Sequence, residues 1–484
     1  MNSKIGRRGF LRGMAVLGAA GAGGISLFST GCGMGTAAPA QTGAGALPGR
    51  GEFVIRDAYV MTMDPDLGDI APGQVHVRNG EIVAVGKEIQ VPGATVLSGR
   101  GMIVLPGMVD THWHMWNTLL RSFGGEQAAS GYFPRTAAYG KAMTPEDMYQ
   151  GTRLAAAEAL HSGITTVHDY CHNVQSREHA EGGIKALRES GLRGRWSYGW
   201  AQGYPDSKLI ELPVLQSIHQ DWAKLSGEGL LSMGLGWRGM FRPSGPLPPE
   251  IFRREFEAAR EMKIPLSVHV GSAESAAGQV AALGREKLLG PDVQLVHALS
   301  ATALELKMVA DAGSVMTISP KTEMRIGYGL PRLGDVLNAG ITTGISVDNL
   351  VLGGNANFFD LLDTARNIEK GRNHDEFRLT ARRMLELGTI EGAKSLGLDG
   401  TIGSLKPGKR ADLIMISTRS VNLGVFTDPA QMVVEAAQPE NVDTVIVDGR
   451  ILKRGGALTA YSENEIVNGA AAALDGLRKR VAAS

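Results

Sequence analysis

The sequence predicts an α/β fold, a (β/α)8 TIM-like barrel that carries a small β-sandwich domain formed by the N- and C-terminal segments. Short apolar runs alternate with amphipathic helical patterns over roughly 300 residues, and strand-rich segments flank that region on both sides. The 484 residues suffice for one large domain and a smaller one. The 49 basic and 49 acidic residues balance, so the charge gives no indication of a nucleic acid or an anionic membrane as partner.

The first 40 residues have the features of an export signal. The pair Arg7 and Arg8 precedes an uncharged stretch rich in Ala and Gly, residues 13–29, and resembles the twin-arginine signal. A buried N-terminal helix is the alternative, but its Gly content would weaken the helix. We therefore expect residues 1–40 to direct export to the periplasm or cell envelope.

A lipid anchor at Cys32 is a further interpretation of this segment. Residues 29–32 resemble a lipoprotein cleavage site, although the Leu usual three positions before the Cys is missing. After removal of the signal only Cys171 would remain, so no intrachain disulfide and no Cys cluster for a structural zinc are available.

Strand patterns separated by tight turns occupy both flanks of the barrel region. Asn79-Gly80 and Asp448-Gly449 are typical hairpin turns. The apolar strand patterns lie at 53–61, 74–77, 81–85, 411–416 and 442–447. Because strand-rich ends of one chain can pair, we expect 51–103 and 401–460 to form the two parts of the β-sandwich, followed by a helical tail at 461–484.

Eight apolar runs are the candidate strands of the barrel, which we expect at 104–400. The first run begins two residues before that range. The eight runs lie at 102–105, 165–168, 195–199, 230–234, 265–270, 293–297, 314–318 and 342–347. Thr144 and Pro145 are typical of a helix start, and Gly163 of a helix end. The alternation favours a barrel over the alternative, a doubly wound open sheet, because no G-x-G-x-x-G motif follows the first run.

Histidines and one aspartate cluster at the predicted strand ends. His112 and His114 are spaced i, i+2, which on an extended chain places both imidazoles on one side. His168, His269, His297 and Asp348 are expected at the ends of later strands. Because barrel enzymes carry their active sites at the carboxyl ends of the strands, these residues predict a metal-dependent active site.

The motifs around these residues resemble the amidohydrolase superfamily, in particular its branch with cytosine deaminase and the chlorotriazine hydrolases. The matching motifs are LPGMVDTHWH at 105–114, SVH at 267–269, LVH at 295–297, GISVD at 344–348 and GSLKPGKRADLI at 403–414. The resemblance spans about 51 to 455. It implies that His112, His114, His269 and Asp348 are metal ligands, with His297 beside the bound water or substrate.

The resemblance also implies a single metal ion. Binuclear relatives carry a modified Lys at the end of the fourth strand, whereas residues 230–237 contain none. Zinc is the expected divalent ion and ferrous iron the alternative, since these ligand types separate the two poorly. The ion would bring the pKa of its water to about 7. Asp348 would then accept the water's proton and His297 would polarise the attacked carbon.

One position departs from the pattern of these relatives. Many carry Glu three residues after the fifth-strand histidine, where this chain has Ser272, and a hydroxyl cannot replace a carboxylic acid. Glu274 and Glu323 are the candidate substitutes, and Glu323 is preferred because it follows a strand end.

Two further residues are candidates for substrate contact. His172, like His168, would either contact substrate or support the ligands. Trp116 would either stack on a planar substrate ring or pack the top of the barrel.

These observations favour a hydrolase with one metal, acting on a non-peptide C–N bond of a small cyclic or aryl amide, amidine, urea or similar heterocycle. A desulfhydrase, dehalogenase or decarboxylase acting on a heterocycle is the second hypothesis, because the usual Glu is absent. A non-catalytic, exported metal- or ligand-binding protein is the third. The partner is a small-molecule substrate in the first two cases, and the resemblance implies a homo-oligomer.

Overall fold

The computed structural model describes residues 47–242 and 245–483. The predicted export signal at 1–40 and the predicted lipid anchor at Cys32 lie outside these residues. Among the described helices, none combines the length and the apolar character needed to cross a membrane.

Both ends of the chain contribute to one nine-stranded sheet, as predicted. Its strands are β1 (Glu52–Met61), β2 (Asp69–Arg78), β3 (Glu81–Gly86), β4 (Thr95–Ser98), β5 (Met102–Pro106), β16 (Leu413–Ser417), β17 (Val442–Val447), β18 (Arg450–Arg454) and β19 (Ala457–Leu458). The edge of β3 meets the segment before β16, where Glu81 and Arg410 form a bridge. The sheet thus folds back over its own apolar core, which includes Ile55, Val75 and Leu413.

The second sheet is a barrel of eight parallel strands, which confirms the predicted fold class. Its strands are β6 (Met108–Trp113), β7 (Ile164–Cys171), β8 (Arg193–Tyr198), β9 (Leu231–Gly236), β12 (Leu266–Val270), β13 (Val293–His297), β14 (Val315–Ile318) and β15 (Thr343–Ile345). A parallel bridge between Trp113 and Asp348 links the first strand to the segment after the last. A short hairpin, β10 (Phe241–Arg242) and β11 (Gly245–Pro246), follows β9.

The prediction that 102–105 is the first barrel strand is wrong. This run lies in β5, which pairs with β1 and β16 in the small sheet. The first barrel strand is β6, which begins after a single residue, Gly107. A side chain at Gly107 would overlap that of Thr165, because its Cβ would lie 2.1 Å from the Thr165 hydroxyl oxygen. Two apolar runs one residue apart carry no local signal that they belong to different sheets.

Sixteen α-helices lie in the described part of the chain. They are α1 (Tyr132–Ala142), α2 (Pro145–His161), α3 (Arg177–Ser190), α4 (Leu212–Gln220), α5 (Trp222–Ser226), α6 (Pro249–Glu261), α7 (Gln279–Arg285), α8 (Ala303–Asp311), α9 (Pro320–Arg325), α10 (Leu333–Asn338), α11 (Leu350–Gly353), α12 (Phe358–Asn373), α13 (Ala381–Leu387), α14 (Ile390–Ser395), α15 (Pro429–Ala436) and α16 (Glu463–Ala483). The predicted start of α2 is confirmed, since Thr144 and Asp147 form a capping box. The helix α16 covers most of the predicted C-terminal tail.

Candidate functional site

Four side chains converge at the carboxyl ends of the barrel strands. His112 lies in β6, His114 follows it, His269 lies in β12 and Asp348 follows β15. One ligand atom from each lies within 4.8 Å of the others. The structure therefore brings together the set that the sequence predicts as metal ligands.

Backbone contacts fix Asp348 beside His112 and His114. The amide of Asp348 donates to the carbonyl of His112 at 2.9 Å, and the amide of His114 donates to the carbonyl of Asp348 at 2.6 Å. Asp110 adds a second tie, since its carboxylate accepts from the amides of His112 and Val347. Asp348 has a left-handed backbone with φ of 64°, a conformation uncommon for a non-glycine residue and found at constrained functional positions.

The arrangement of ligand atoms suits a divalent cation. His114 Nε2 lies 3.3 Å from His112 Nε2 and 3.2 Å from His269 Nε2, and Asp348 Oδ1 lies 3.3 Å from His112 Nε2. Burial lowers the pKa of all three histidines below its ordinary value, and repulsion from neighbouring histidines lowers it further for His112 and His269. Neutral imidazole nitrogens that face one another in this way repel unless a cation lies between them.

A backbone carbonyl orients one of these rings. His114 Nδ1 lies 2.9 Å from the carbonyl oxygen of Tyr170, which accepts its proton. The proton therefore resides on Nδ1, and the Nε2 lone pair points at the other three ligands. A hydrogen bond at the distal nitrogen is the usual way in which proteins orient a metal-binding imidazole.

His297 lies at the end of β13 and is paired with Glu323. Its Nδ1 is 3.1 Å from Glu323 Oε1, which also accepts from the amide of Ser319 at 2.9 Å. Burial opposes the charged imidazolium, but the hydrogen bond to Glu323 and the charge of Asp348 outweigh it and raise the pKa of His297. Glu323 is fully buried behind His297 and does not line the cavity. The structure therefore does not place Glu323 where the sequence predicted it, in contact with substrate; its Oε1 contacts His297 and the Ser319 amide instead.

A cavity of about 630 Å³ opens above the ligand cluster. His114, His269, His297 and Asp348 line its floor. Aromatic rings form much of its wall, namely those of Tyr132, Phe133, His172, Trp200, Trp237, Phe241 and Tyr328. A cavity of this volume with several rings in its wall fits a small planar molecule.

Of the two further candidates for substrate contact, His172 and Trp116, His172 lines this cavity and Trp116 does not. The His172 ring centroid lies 4.1 Å from that of His114. Trp116 is fully buried and its indole Nε1 donates to His172 Nδ1 at 3.4 Å. Trp116 therefore packs against His172, as in the second of its two predicted roles, and does not line the cavity as stacking on substrate would require.

His168 lies in the middle of β7 rather than at its end, as β7 continues to Cys171. Its Nδ1 contacts the carbonyl of Thr111 at 3.1 Å, and its Nε2 contacts the hydroxyl of Ser197 at 2.8 Å. Burial, with the charge of Arg195, lowers the pKa of His168 to about 3. His168 is thus a neutral ring inside the barrel.

The position where many relatives carry Glu faces the cavity, and its Ser272 side chain hydrogen-bonds to Tyr328. The Tyr328 ring packs edge-on against His297, with centroids 5.5 Å apart. Glu274 is exposed and does not line the cavity. Sequence reasoning missed Tyr328 because it lies in a Gly-flanked loop with no strand or helix pattern.

The sequence profile of the amidohydrolase family matches residues 103–452 of this chain. Among similar proteins, the 5'-deoxyadenosine deaminase of Methanosarcina mazei is 28% identical over 454 residues, which cover 89% of this chain and 99% of that protein. The 5-methylthioadenosine/S-adenosylhomocysteine deaminase of Moorella thermoacetica is 28% identical over 436 residues, covering 86% of this chain and 97% of the relative.

Solved structures share the fold at lower sequence identity. An adenosine deaminase from Xanthomonas campestris with bound zinc has a TM-score of 0.79 and 21% identity, and the match covers 89% of this chain and all of that one. The zinc complex of the atrazine chlorohydrolase from Arthrobacter aurescens has a TM-score of 0.77 and 23% identity, covering 87% of this chain and 100% of the other.

Proposed function

This chain belongs to the amidohydrolase family, and we propose from that premise that it uses one zinc ion to hydrolyse a C–N bond of a small planar heterocycle. The observation that carries the proposal is the convergence of His112, His114, His269 and Asp348 within 4.8 Å. Three imidazoles and one carboxylate suit zinc, and ferrous iron is the alternative ion. The relatives named above include deaminases of adenine compounds, which act on an exocyclic C–N bond.

The residues around the cluster have separable tasks. A bound divalent cation supplies Lewis-acid activation of water. Asp348 accepts the proton of the attacking water, and its Oδ2 is held by Asn349 Nδ2 at 3.0 Å. Glu323 accepts a hydrogen bond from His297 Nδ1, which fixes the ring so that Nε2 is left to face the cavity. In the cavity, His297 Nε2 donates a hydrogen bond to the electronegative atom that is bonded to the attacked carbon.

An amine leaving group needs a proton, and the proton that the proposed step frees is the one that Asp348 accepts from water. Ser272 has no acidic proton, but it hydrogen-bonds to the Tyr328 phenol, and both residues line the cavity. Burial raises the pKa of Tyr328 to about 12, so the phenol stays protonated and is available as a hydrogen-bond donor. The absence of a carboxylic acid here favours a second candidate, displacement of a leaving group that needs little protonation, such as halide or sulfide.

A product assay tests the proposal and separates the two candidates. Zinc-loaded protein is incubated with cyclic amidines, ureas, thiohydantoins, triazines and carbamates, and ammonia, amines, halide, sulfide and carbon dioxide are measured. We expect ammonia or amine from at least one compound and no turnover after chelation. Release of only halide, sulfide or carbon dioxide would support the second candidate. No turnover of any compound would contradict both.

We also propose that the protein is exported through the twin-arginine signal at Arg7 and Arg8, which lies outside the described residues. The proposal is supported by the sequence pattern alone. Replacement of both arginines by lysine should leave the protein in the cytoplasmic fraction. A Cys32→Ser variant that still partitions with membranes would contradict lipid anchoring. Assembly into a homo-oligomer stays a prediction.

A further inference from the structure

The charged residues on the cavity wall are few and unevenly placed. Among the described lining residues, Asp348 is the single carboxylate, and it is one of the four candidate metal ligands. The two permanent cations on the wall are Arg238 and Arg242, which lie on the side of the cavity after β9. Neither Lys nor Glu lines the described part of the wall. A ligand that fills the cavity therefore meets positive charge on one side.

The positive charge of Arg238 is neutralised by an ion pair with Glu255 and is therefore not available to a ligand. Its side chain and that of Glu255 are completely buried, and Arg238 Nη2 lies 2.5 Å from Glu255 Oε1. The remaining donors contact the carbonyls of Pro205 and Lys208. This ion pair is a structural support for the loop after β8.

Arg242 is more exposed than Arg238, and its ion pair is longer. Its side chain is 21% exposed, and its Nε contacts Asp206 Oδ1 at the long distance of 3.3 Å. Arg242 makes no other hydrogen bond to the described residues, so none of these residues occupies its two terminal amino groups. Asp206 itself is one-third exposed, which weakens its hold on the guanidinium charge.

Trp200 holds the Arg242 guanidinium at the cavity. The guanidinium carbon lies 4.6 Å from the centre of the Trp200 ring, within the range of a cation–π interaction. Trp200 in turn packs against His172, with ring centroids 5.8 Å apart, and His172 packs against His114 at 4.1 Å. A continuous row of rings thus connects His114, a predicted metal ligand, to the positively charged Arg242.

We propose that Arg242 and Trp200 form a subsite for an anionic substituent, a carboxylate, carried by a planar ring substrate. The fork of guanidinium N–H groups matches the two oxygens of a carboxylate, and the adjacent rings provide the surface along which a planar substrate lies. The assignment of this ligand as substrate rests on the proposed function, because the reacting end of the molecule would face the metal cluster. Binding at the subsite is measurable without turnover.

Calorimetry with one matched pair of compounds tests the subsite. Indole-3-propionate and indole-3-propionamide have the same ring and length, and differ in the charge that the subsite selects. On zinc-loaded protein we expect the acid to bind at least tenfold more tightly than the amide. Arg242→Met should weaken binding of the acid by about tenfold to a hundredfold and leave the amide unchanged, as expected for loss of a charge-assisted hydrogen bond. Arg242→Lys should restore part of the preference.

The control is Arg325→Met, which removes the same charge elsewhere. Arg325 is exposed, donates to the carbonyl of Gly124, and precedes the cavity-lining Ile326. This variant should keep the preference for the acid. A preference that survives in Arg242→Met, as direct binding of the carboxylate to zinc would produce, overturns the proposal.

Two other results would also count against the subsite. An equal loss of acid binding in Arg325→Met would show that general charge, rather than this position, attracts the acid. Absence of any preference in the unmodified protein, including no binding of either compound at millimolar concentration, would equally contradict the proposal. Turnover of the heterocycle panel is a separate result, so the proposed function and the subsite can fail independently.

Discussion

His297 Nδ1 lies 3.1 Å from the Oε1 atom of a fully buried carboxylate, that of Glu323. This contact orients the ring over the metal cluster and stabilises its protonated form. Both residues were candidates from sequence, but their positions differ, since His297 lines the cavity and Glu323 contacts the Nδ1 side of its ring.

Glu323→Gln should lower kcat about tenfold to a hundredfold with little change in KM. The reason is that the hydrogen bond from His297 Nδ1, which positions the ring as a hydrogen-bond donor to substrate, becomes weaker. The carboxylate raises the pKa of His297, so its loss should lower that pKa. The alkaline limb of the pH–rate profile should then move to lower pH. Zinc content, measured in parallel, should be unchanged. An unaltered pH profile would contradict the role of Glu323.

Asp348→Asn should reduce turnover by about two to four orders of magnitude, because the amide cannot accept a proton from water. The backbone ties of Asp348 to His112 and His114 do not involve the side chain, so circular dichroism should show the same fold. Activity close to that of the unmodified protein, at matched zinc content, would exclude Asp348 as the proton acceptor.

Elemental analysis should find about one zinc per chain, as expected for one four-ligand cluster. His269→Ala removes one of these ligands and should reduce both the zinc content and the activity. His168→Asn is the matched control, since His168 is neutral, lies outside the cluster and contacts Ser197. Two tightly bound ions in the unmodified protein would overturn the single-metal site.

Ser272→Glu should raise turnover of substrates that release an amine by about tenfold or more, because it places a carboxylic acid on the cavity wall. Ser272→Gln is the matched control, with a similar size and no acidic proton, and should give no gain. Substrates that release halide should respond equally to both variants. An equal gain from Gln and Glu would show that the carboxyl group does not act as the acid.

Arg238→Met should lower the free energy of unfolding by about 3 to 5 kcal/mol, because it leaves the Glu255 carboxylate buried without its partner. The double variant Arg238→Met/Glu255→Met should lose less than Arg238→Met alone, since no unpaired charge remains. Urea denaturation curves of the three proteins provide the comparison. A double variant that is less stable than Arg238→Met would contradict this explanation.

Much of the architecture could be predicted because strand and helix patterns are local. The run at 293–297 coincides with β13, and the capping residue Thr144 precedes α2 as predicted. The assignment of 102–105 to the barrel failed because its sheet depends on partners far along the chain, in β1 and β16. The strand end near His168 was misplaced for a similar reason, since β7 is extended by pairing with β8 up to Cys171.

The sequence by itself determined the α/β alternation and the gathering of histidines and Asp348 at the strand ends, because strand ends of a parallel barrel meet at one edge whatever the loops do. The choice of four ligands among these residues came from the family resemblance. Only the tertiary structure decided that Trp116 donates to His172, that Glu323 pairs with His297, and that Arg242 lies on the cavity wall beside Trp200. These relations depend on loop conformations and on contacts between distant segments. No local pattern of residue types encodes them.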